Sequence, residues 1–319
     1  MKKLRYVCVQ PRLVYYAWQV EVMVNNFLKH GIDGSDIDIL VAWNPVDRTS
    51  DPEAIQAWDK LTAHYSTVNF HYYQDTRPYP IHYISSIRPN ILKQHWTAFP
   101  ELKDQVIFYS DCDIVFSKTP DFSKFLEDDI WYVSDTNSYI NSRYVLSKGQ
   151  EVYDKMCEIV GIDPEIPKQH DKDSGGAQYI LKNIDADYWH KVERDSERLF
   201  FEINTMNNRI KQDDPTYHEL QIWCADMWAV LWNGWLKGAE VKVVPELAFT
   251  WATDHIDRWE KNTIYHNAGV TCACGRQFYK GIYMTELPYN IKQGDFNQTV
   301  SSYNYVKEII ETASKTCLI

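Results

Sequence analysis

The feature that most limits the fold is an alternation of runs at the start of the chain. Residues 5–10, 38–43 and 68–73 are apolar and β-branched or aromatic, each of strand length. Between the first two, residues 15–30 set Trp18, Val22 and Leu28 at helical spacing and close on Gly31. Between the second and third, residues 52–64 read as a helix, with Asp51 as its N-cap. Parallel strands need a long crossover, and a helix supplies it. The expected fold is therefore α/β: a doubly wound, mostly parallel central sheet flanked by helices.

The next strong signal is Gln105-Val106-Ile107-Phe108-Tyr109-Ser110-Asp111-Cys112-Asp113-Ile114-Val115-Phe116. A buried strand ends in two aspartates one residue apart, and a second apolar run follows at once. In extended backbone, residues i and i+2 point the same way. Asp111 and Asp113 thus set two carboxylates on one side, where they repel unless a cation lies between them. A hard divalent ion, Mg²⁺ or Mn²⁺, is the natural partner. The plainer alternative is that Asp111 caps a turn and Asp113 is solvated. The apolar runs favour the metal, because they place the pair at the carboxyl edge of a buried strand, where open α/β sheets bind ligands.

Two loops reach the same edge. Gln10, Pro11 and Arg12 follow the first strand, and Gln74, Asp75 and Thr76 follow the third. Ordinary turns are the alternative for both. Arg88 and Lys93 precede the Asp-x-Asp strand in a helical stretch with Pro89 in its first turn. They can neutralise a leaving diphosphate or form a solvated surface pair. In Asp173-Ser174-Gly175-Gly176-Ala177-Gln178, the glycines let backbone approach a ligand, and the apolar run after them suggests that they open a helix. Residues 188–213 are charge-rich and poor in period, which suggests an acceptor-side excursion or a mobile lid. Residues 217–232 read as one long helix. Asp226 lies in its apolar part, so its carboxylate must be solvated by a cleft, paired, or poised for chemistry.

The ordered motifs resemble those of nucleotide-sugar glycosyltransferases with the GT-A fold, over about residues 4 to 285. The resemblance rests on Asp111-Cys112-Asp113, on Asp173-Ser174-Gly175-Gly176-Ala177-Gln178 and on Tyr265-His266-Asn267-Ala268-Gly269. It is nearest to retaining members, family 8 and the peptidyl-serine galactosyltransferase-like proteins. It implies Asp111, Asp113 and His266 as ligands of Mn²⁺ (or Mg²⁺) bridging the donor diphosphate; a lone histidine is otherwise more often structural. It implies that Gln10, Pro11 and Asp75 hold base and ribose, and that Asp173, Gly175, Gly176 and Gln178 lie against the donor sugar. Arg88, Lys93, Cys112, Asn267 and Gly269 complete the donor contacts. An acidic or amide group is implied near the reacting carbon: Asp226 first, with Glu219 and Gln221 as alternatives.

Composition narrows the function. A net charge of −11 argues against a bulk electrostatic grip on nucleic acid. No stretch is long and apolar enough for a membrane span or signal peptide, and the basic start leads into a strand. The seven cysteines are scattered and odd in number, which suits reduced thiols more than a disulfide framework, with Cys272 and Cys274 structural or incidental. The expectation is one GT-A-like domain over 1–319, with a nucleotide-binding half (1–135) and a donor-sugar and acceptor half (136–319), in the cytoplasm. Its partners are a nucleotide-sugar donor, a UDP-sugar favoured, and a saccharide or other hydroxyl acceptor; retention is preferred by resemblance. One rival is a nucleotidyltransferase that makes the nucleotide sugar, but the loop after strand one lacks the glycines it needs. The other is a non-catalytic sugar-binding or scaffold protein, against which Asp111, Asp113 and His266 count.

Overall fold

The computed structural model describes residues 3–78 and 83–319; Met1 and Lys2 of the basic start lie outside them. The opening alternation forms as expected: β1 (Leu4–Pro11), α1 (Val14–Lys29), β2 (Ile37–Trp43), α2 (Pro52–His64) and β3 (Asn69–Gln74). β1 pairs parallel to β2, with Val7 opposite Asp38, and β2 pairs parallel to β3. Then come α3 (Ile87–Ala98), β4 (Val106–Ser110), β5 (Ile114–Phe116), β6 (Trp131–Asp135), α4 (Gln150–Val160) and β7 (Gly175–Lys182). α5 (Ala186–Asp213), α6 (Ala225–Leu236), β8 (Val241–Val243), β9 (Phe249–Trp251), β10 (Ile264–His266) and α7 (Ser302–Ala313) finish the chain. Short helical turns connect several of these elements.

The main sheet has seven strands in the order β3-β2-β1-β4-β7-β6-β8, and a second sheet has the order β5-β10-β9. The mixed α/β fold with a mostly parallel central sheet is the one expected; β7 is antiparallel to β6, which is parallel to β8. The chain forms two compact units interleaved along the sequence. One comprises Leu4–Gln74, Tyr109–Lys124 and Pro245–Ile319; the other comprises Met1–Lys3, Asp75–Phe108 and Phe125–Val244. No helix among the described residues is long and apolar enough to cross a membrane.

In the first unit, β5 is fixed by α1. The buried Asn26 amide donates to Phe116 O (3.0 Å) and its Oδ1 accepts from Phe116 N–H (2.7 Å), so one side chain satisfies a strand's backbone on both counts. Phe27 and Phe116 stack beside it at 4.6 Å. In the second unit, α3 and α5 are joined by polar contacts. Glu193 accepts from Asn90 Nδ2 (2.6 Å) and from Lys93 Nζ.

Four local expectations need correction. Gly175 and Gly176 do not open a helix; they begin β7. An added Cβ on Gly175 would lie 2.2 Å from Val133 Cγ2 and 2.4 Å from Ser134 O, so glycine lets β7 close on β6. A short apolar run does not by itself distinguish a buried strand from a helix. Residues 188–213 are no irregular excursion but the body of the 28-residue α5, capped by Asp185, whose side chain accepts from Tyr188 N–H. It buries Tyr188, Trp189, Val192, Leu199 and Ile203 along one stripe. The helix expected over 217–232 starts only at Ala225, after a 3₁₀ turn at Ile222–Cys224. Cys272 and Cys274 are joined in a disulfide, while five cysteines stay free.

Candidate functional site

The Asp-x-Asp pair lies in a bend between β4 and β5. The second sheet builds the rest of the site. β10 runs antiparallel to β5 with His266 opposite Ile114, and Asn267 N–H donates to Asp113 O at 2.8 Å. Strand register alone thus carries His266, far along the chain, to Asp113. Asp111, Asp113 and His266 each offer one ligand atom, and these atoms lie within 4.8 Å of one another. Asp113 and His266 are buried and Asp111 is half-buried.

His266 Nε2 lies 3.3 Å from Asp113 Oδ1, and Lys280 Nζ donates to Asp113 Oδ2. Burial pushes the Asp113 carboxyl up, but Lys280 and His266 outweigh it and hold it well below the usual carboxylate range. Burial alone would lower the Lys280 ammonium; Asp113 raises it above its ordinary value. Tyr15, nearby, is pushed up to about 12, first by burial, with Lys280 opposing. The His266 ring packs beside two aromatics of β9, 7° from the plane of Trp251 and 5.5 Å from Phe249. Tyr265 OH donates to Asn267 Oδ1 (2.9 Å), while Asn267 Nδ2 is buried with no hydrogen-bond partner among the described residues. Gly269 follows with φ +90°, a conformation that favours glycine. At the end of β1, Gln10 is buried and its Nε2 lies 3.6 Å from Cys8 Sγ; Pro11 is the last residue of the strand. The Cys112 thiol is buried, and burial pushes it well up.

The remaining expected residues belong to the other unit. Asp75 is buried and gripped by Arg77: Nε donates to Oδ1 (2.9 Å) and Nη2 to Oδ2 (2.8 Å). Arg77 also donates to Tyr83 O (2.8 Å) and Ser86 Oγ (2.8 Å), so this pair ties Asp75 to the turn that leads into α3. Arg88 and Asp226 meet each other. Arg88 Nε donates to Asp226 Oδ2 (3.1 Å), and Tyr83 OH donates to Oδ1 (2.9 Å). Asp173 Oδ1 accepts weakly from Val243 N–H (3.4 Å). Gln178 is buried in β7 and accepts from Ser134 Oγ (2.8 Å). Ala177, beside the glycines, has φ +69°, and the β6–β7 register shifts between Val133 and Asp135. A backbone outlier and a bulge together mark a strained spot of the kind found near functional sites. Glu219 is exposed and pairs with Lys211 (3.3 Å); Gln221 is exposed and accepts from the Trp223 indole N–H (3.3 Å).

Sequence reasoning did not single out Lys280, Tyr15 or Arg77. Lys280 sits in a short 3₁₀ turn without hydrophobic period, and only the folded chain brings it to Asp113.

No protein-family model matches the chain, and no curated protein matches its sequence. Among solved structures it is similar to the bifunctional glycosyltransferase WbbM in its apo form: 11% identity, TM-score 0.49, covering 99% of this chain and 50% of that one. This chain thus spans half of WbbM's length. Apo mouse xyloside xylosyltransferase 1 shows 9% identity and a TM-score of 0.37, over 83% of this chain and 97% of that one. A glycosyltransferase involved in glycosylation of the major capsid of PBCV-1 shows 11% identity and a TM-score of 0.37, over 84% and 94%. At this level of likeness the functional reading rests on the side chains.

Proposed function

We propose that this chain is a metal-dependent glycosyltransferase that moves a sugar from a nucleoside-diphosphate sugar, a UDP-sugar favoured, to an acceptor hydroxyl with retention at the anomeric carbon. The observation that carries it is the convergence of Asp111, Asp113 and His266 within 4.8 Å from the β4–β5 bend and the end of β10. Two carboxylates and one imidazole are hard to borderline donors that suit Mn²⁺ or Mg²⁺. The partnerless buried Asn267 Nδ2 beside them fits a phosphate oxygen as acceptor.

In this reading Asp111, Asp113 and His266 hold the ion, which supplies Lewis-acid stabilisation of the departing nucleoside diphosphate. Trp251 and Phe249 pack beside the His266 ring and restrict its orientation. Asn267 donates its amide N–H to the diphosphate, and Gly269 keeps the chain close to it. Gln10 and Pro11 border the base and ribose. Asp226 has the role near the reacting carbon; Arg88 and Tyr83 keep its carboxylate oriented.

The test is release of nucleoside diphosphate from a panel of nucleotide sugars, with and without Mn²⁺. The proposal expects Mn²⁺-dependent release from one UDP-sugar, removed by chelation and by Asp113→Ala. Release that is equally fast without metal, or in Asp113→Ala, contradicts it.

A further inference from the structure

Both oxygens of Asp113 are engaged in the folded chain: Oδ1 with His266 Nε2 at 3.3 Å, and Oδ2 with the Lys280 ammonium. Asp113 is buried and Lys280 is half-buried, with 28% of its side chain exposed, so the ion pair is only partly screened by solvent and salt. The backbone that carries it is braced on both sides. Phe278, fully buried, packs edge-on against Trp18 (6.1 Å) and stacks on Tyr283 (5.6 Å). The Trp18 indole N–H donates to Tyr283 O (3.3 Å), and Tyr283 N–H donates to Lys280 O (3.0 Å). Upstream, Arg276 Nε donates to Asp295 O (2.8 Å). The turn is therefore fixed, and the movable part is the Lys280 side chain.

A divalent ion and an ammonium compete for one carboxylate. An ion bonded to Asp113 within reach of Lys280 meets like charge at short range in a poorly solvated place. A diphosphate removes that conflict, because its negative charge offsets both cations.

We propose that Lys280 is a built-in counter-ion that holds Asp113 until a diphosphate arrives, so that metal and diphosphate enter together and the bare site takes metal poorly. The inference rests on the glycosyltransferase reading of Asp111, Asp113 and His266, and adds to it a residue that couples the two ligands. Lys280 is a positioning residue in this account, acting on the metal through Asp113.

The experiment measures Mn²⁺ binding to the full chain by the loss of the free-ion electron paramagnetic resonance signal, with and without UDP. Wild type, Lys280→Met and Lys280→Arg are compared, each checked for a cooperative melt. The expected result is wild-type Mn²⁺ affinity at least tenfold higher with UDP than without. Lys280→Met should bind Mn²⁺ alone at least tenfold more tightly than wild type and show little further gain from UDP. Lys280→Arg, which keeps the charge, should retain the wild-type coupling and serves if Lys280→Met fails to fold; an Arg variant without coupling then overturns the proposal. Wild type that binds Mn²⁺ equally well without UDP overturns it too, as does unchanged Mn²⁺ affinity in Lys280→Met. No Mn²⁺ bound by any protein in any condition overturns the metal reading itself, and this inference with it.

Discussion

Asp226 offers a sharp test of whether a buried carboxylate is held as the structure describes. Its side chain is 8% exposed and that of Arg88 22%. One oxygen takes the Tyr83 hydroxyl and the other the Arg88 guanidinium, while Asp226 N–H donates to the Tyr83 oxygen. Asp226 also lies in the first turn of α6, where a carboxylate meets the positive end of the helix dipole. In Asp226→Asn the amide can still accept from Tyr83, but it sets an N–H donor against Arg88 and removes the negative charge opposite the guanidinium. Hydrogen bonds to charged groups contribute about 1.5–3 kcal/mol, and loss of the opposite charge beside a partly buried guanidinium adds to the cost. The expected cost is about 2–4 kcal/mol, a fall in melting temperature of roughly 3–6 °C for a chain of this size. Arg88→Met alone should cost a similar amount. The double variant should cost clearly less than the sum, with a coupling of about 1–3 kcal/mol. Thermal melts of the four proteins in one buffer measure this. A melt of Asp226→Asn that matches wild type, or fully additive single variants, refutes the pairing.

Other outcomes follow from the same geometry. His266→Ala should weaken Mn²⁺-dependent nucleotide binding by more than about tenfold, since loss of even an outer partner of a metal ligand costs that much; calorimetric titration with UDP and Mn²⁺ reads it. Asp185→Ala removes the cap of α5 and should cost about 1 kcal/mol at neutral pH. Burial raises the Asp185 carboxyl, but the Tyr188 N–H and Lys237 outweigh it and hold it below its ordinary value of 3.8. Its stabilisation is therefore present above that value and lost as pH falls below it, so melts of wild type and variant should converge only in acid. Gly175→Ala should destabilise by about 1–3 kcal/mol through overpacking against Val133 and Ser134, read as a lower denaturant midpoint.

Much of this was legible in the sequence because local signals and tertiary structure agree. The strand and helix runs before residue 75 form within a residue or two of their expected bounds, since each strand is bracketed by a helix with clear stops. Asp51 is a partial exception: it sits at the N-cap position of α2, but its side chain makes no capping hydrogen bond. Asp111 and Asp113 stand out because two carboxylates beside buried strands demand a reason. The failures have physical causes as well. Gly175 and Gly176 read as a helix start, but the need to fit beside Val133 made them a strand. α5 was hidden because charges dilute its apolar stripe. Lys280 was invisible because its value to Asp113 exists only once the turn that carries it is folded against Trp18.

The most direct test of the metal and donor site is the melting temperature of the full chain against UDP, GDP, ADP and CDP, each with and without Mn²⁺. A ligand that binds only the folded state at a hundred times its Kd stabilises by about 2.7 kcal/mol, a rise on the order of 5 °C. The account expects such a rise with UDP plus Mn²⁺, little with either alone, and none in Asp113→Ala. No rise with any nucleotide in either condition would contradict it.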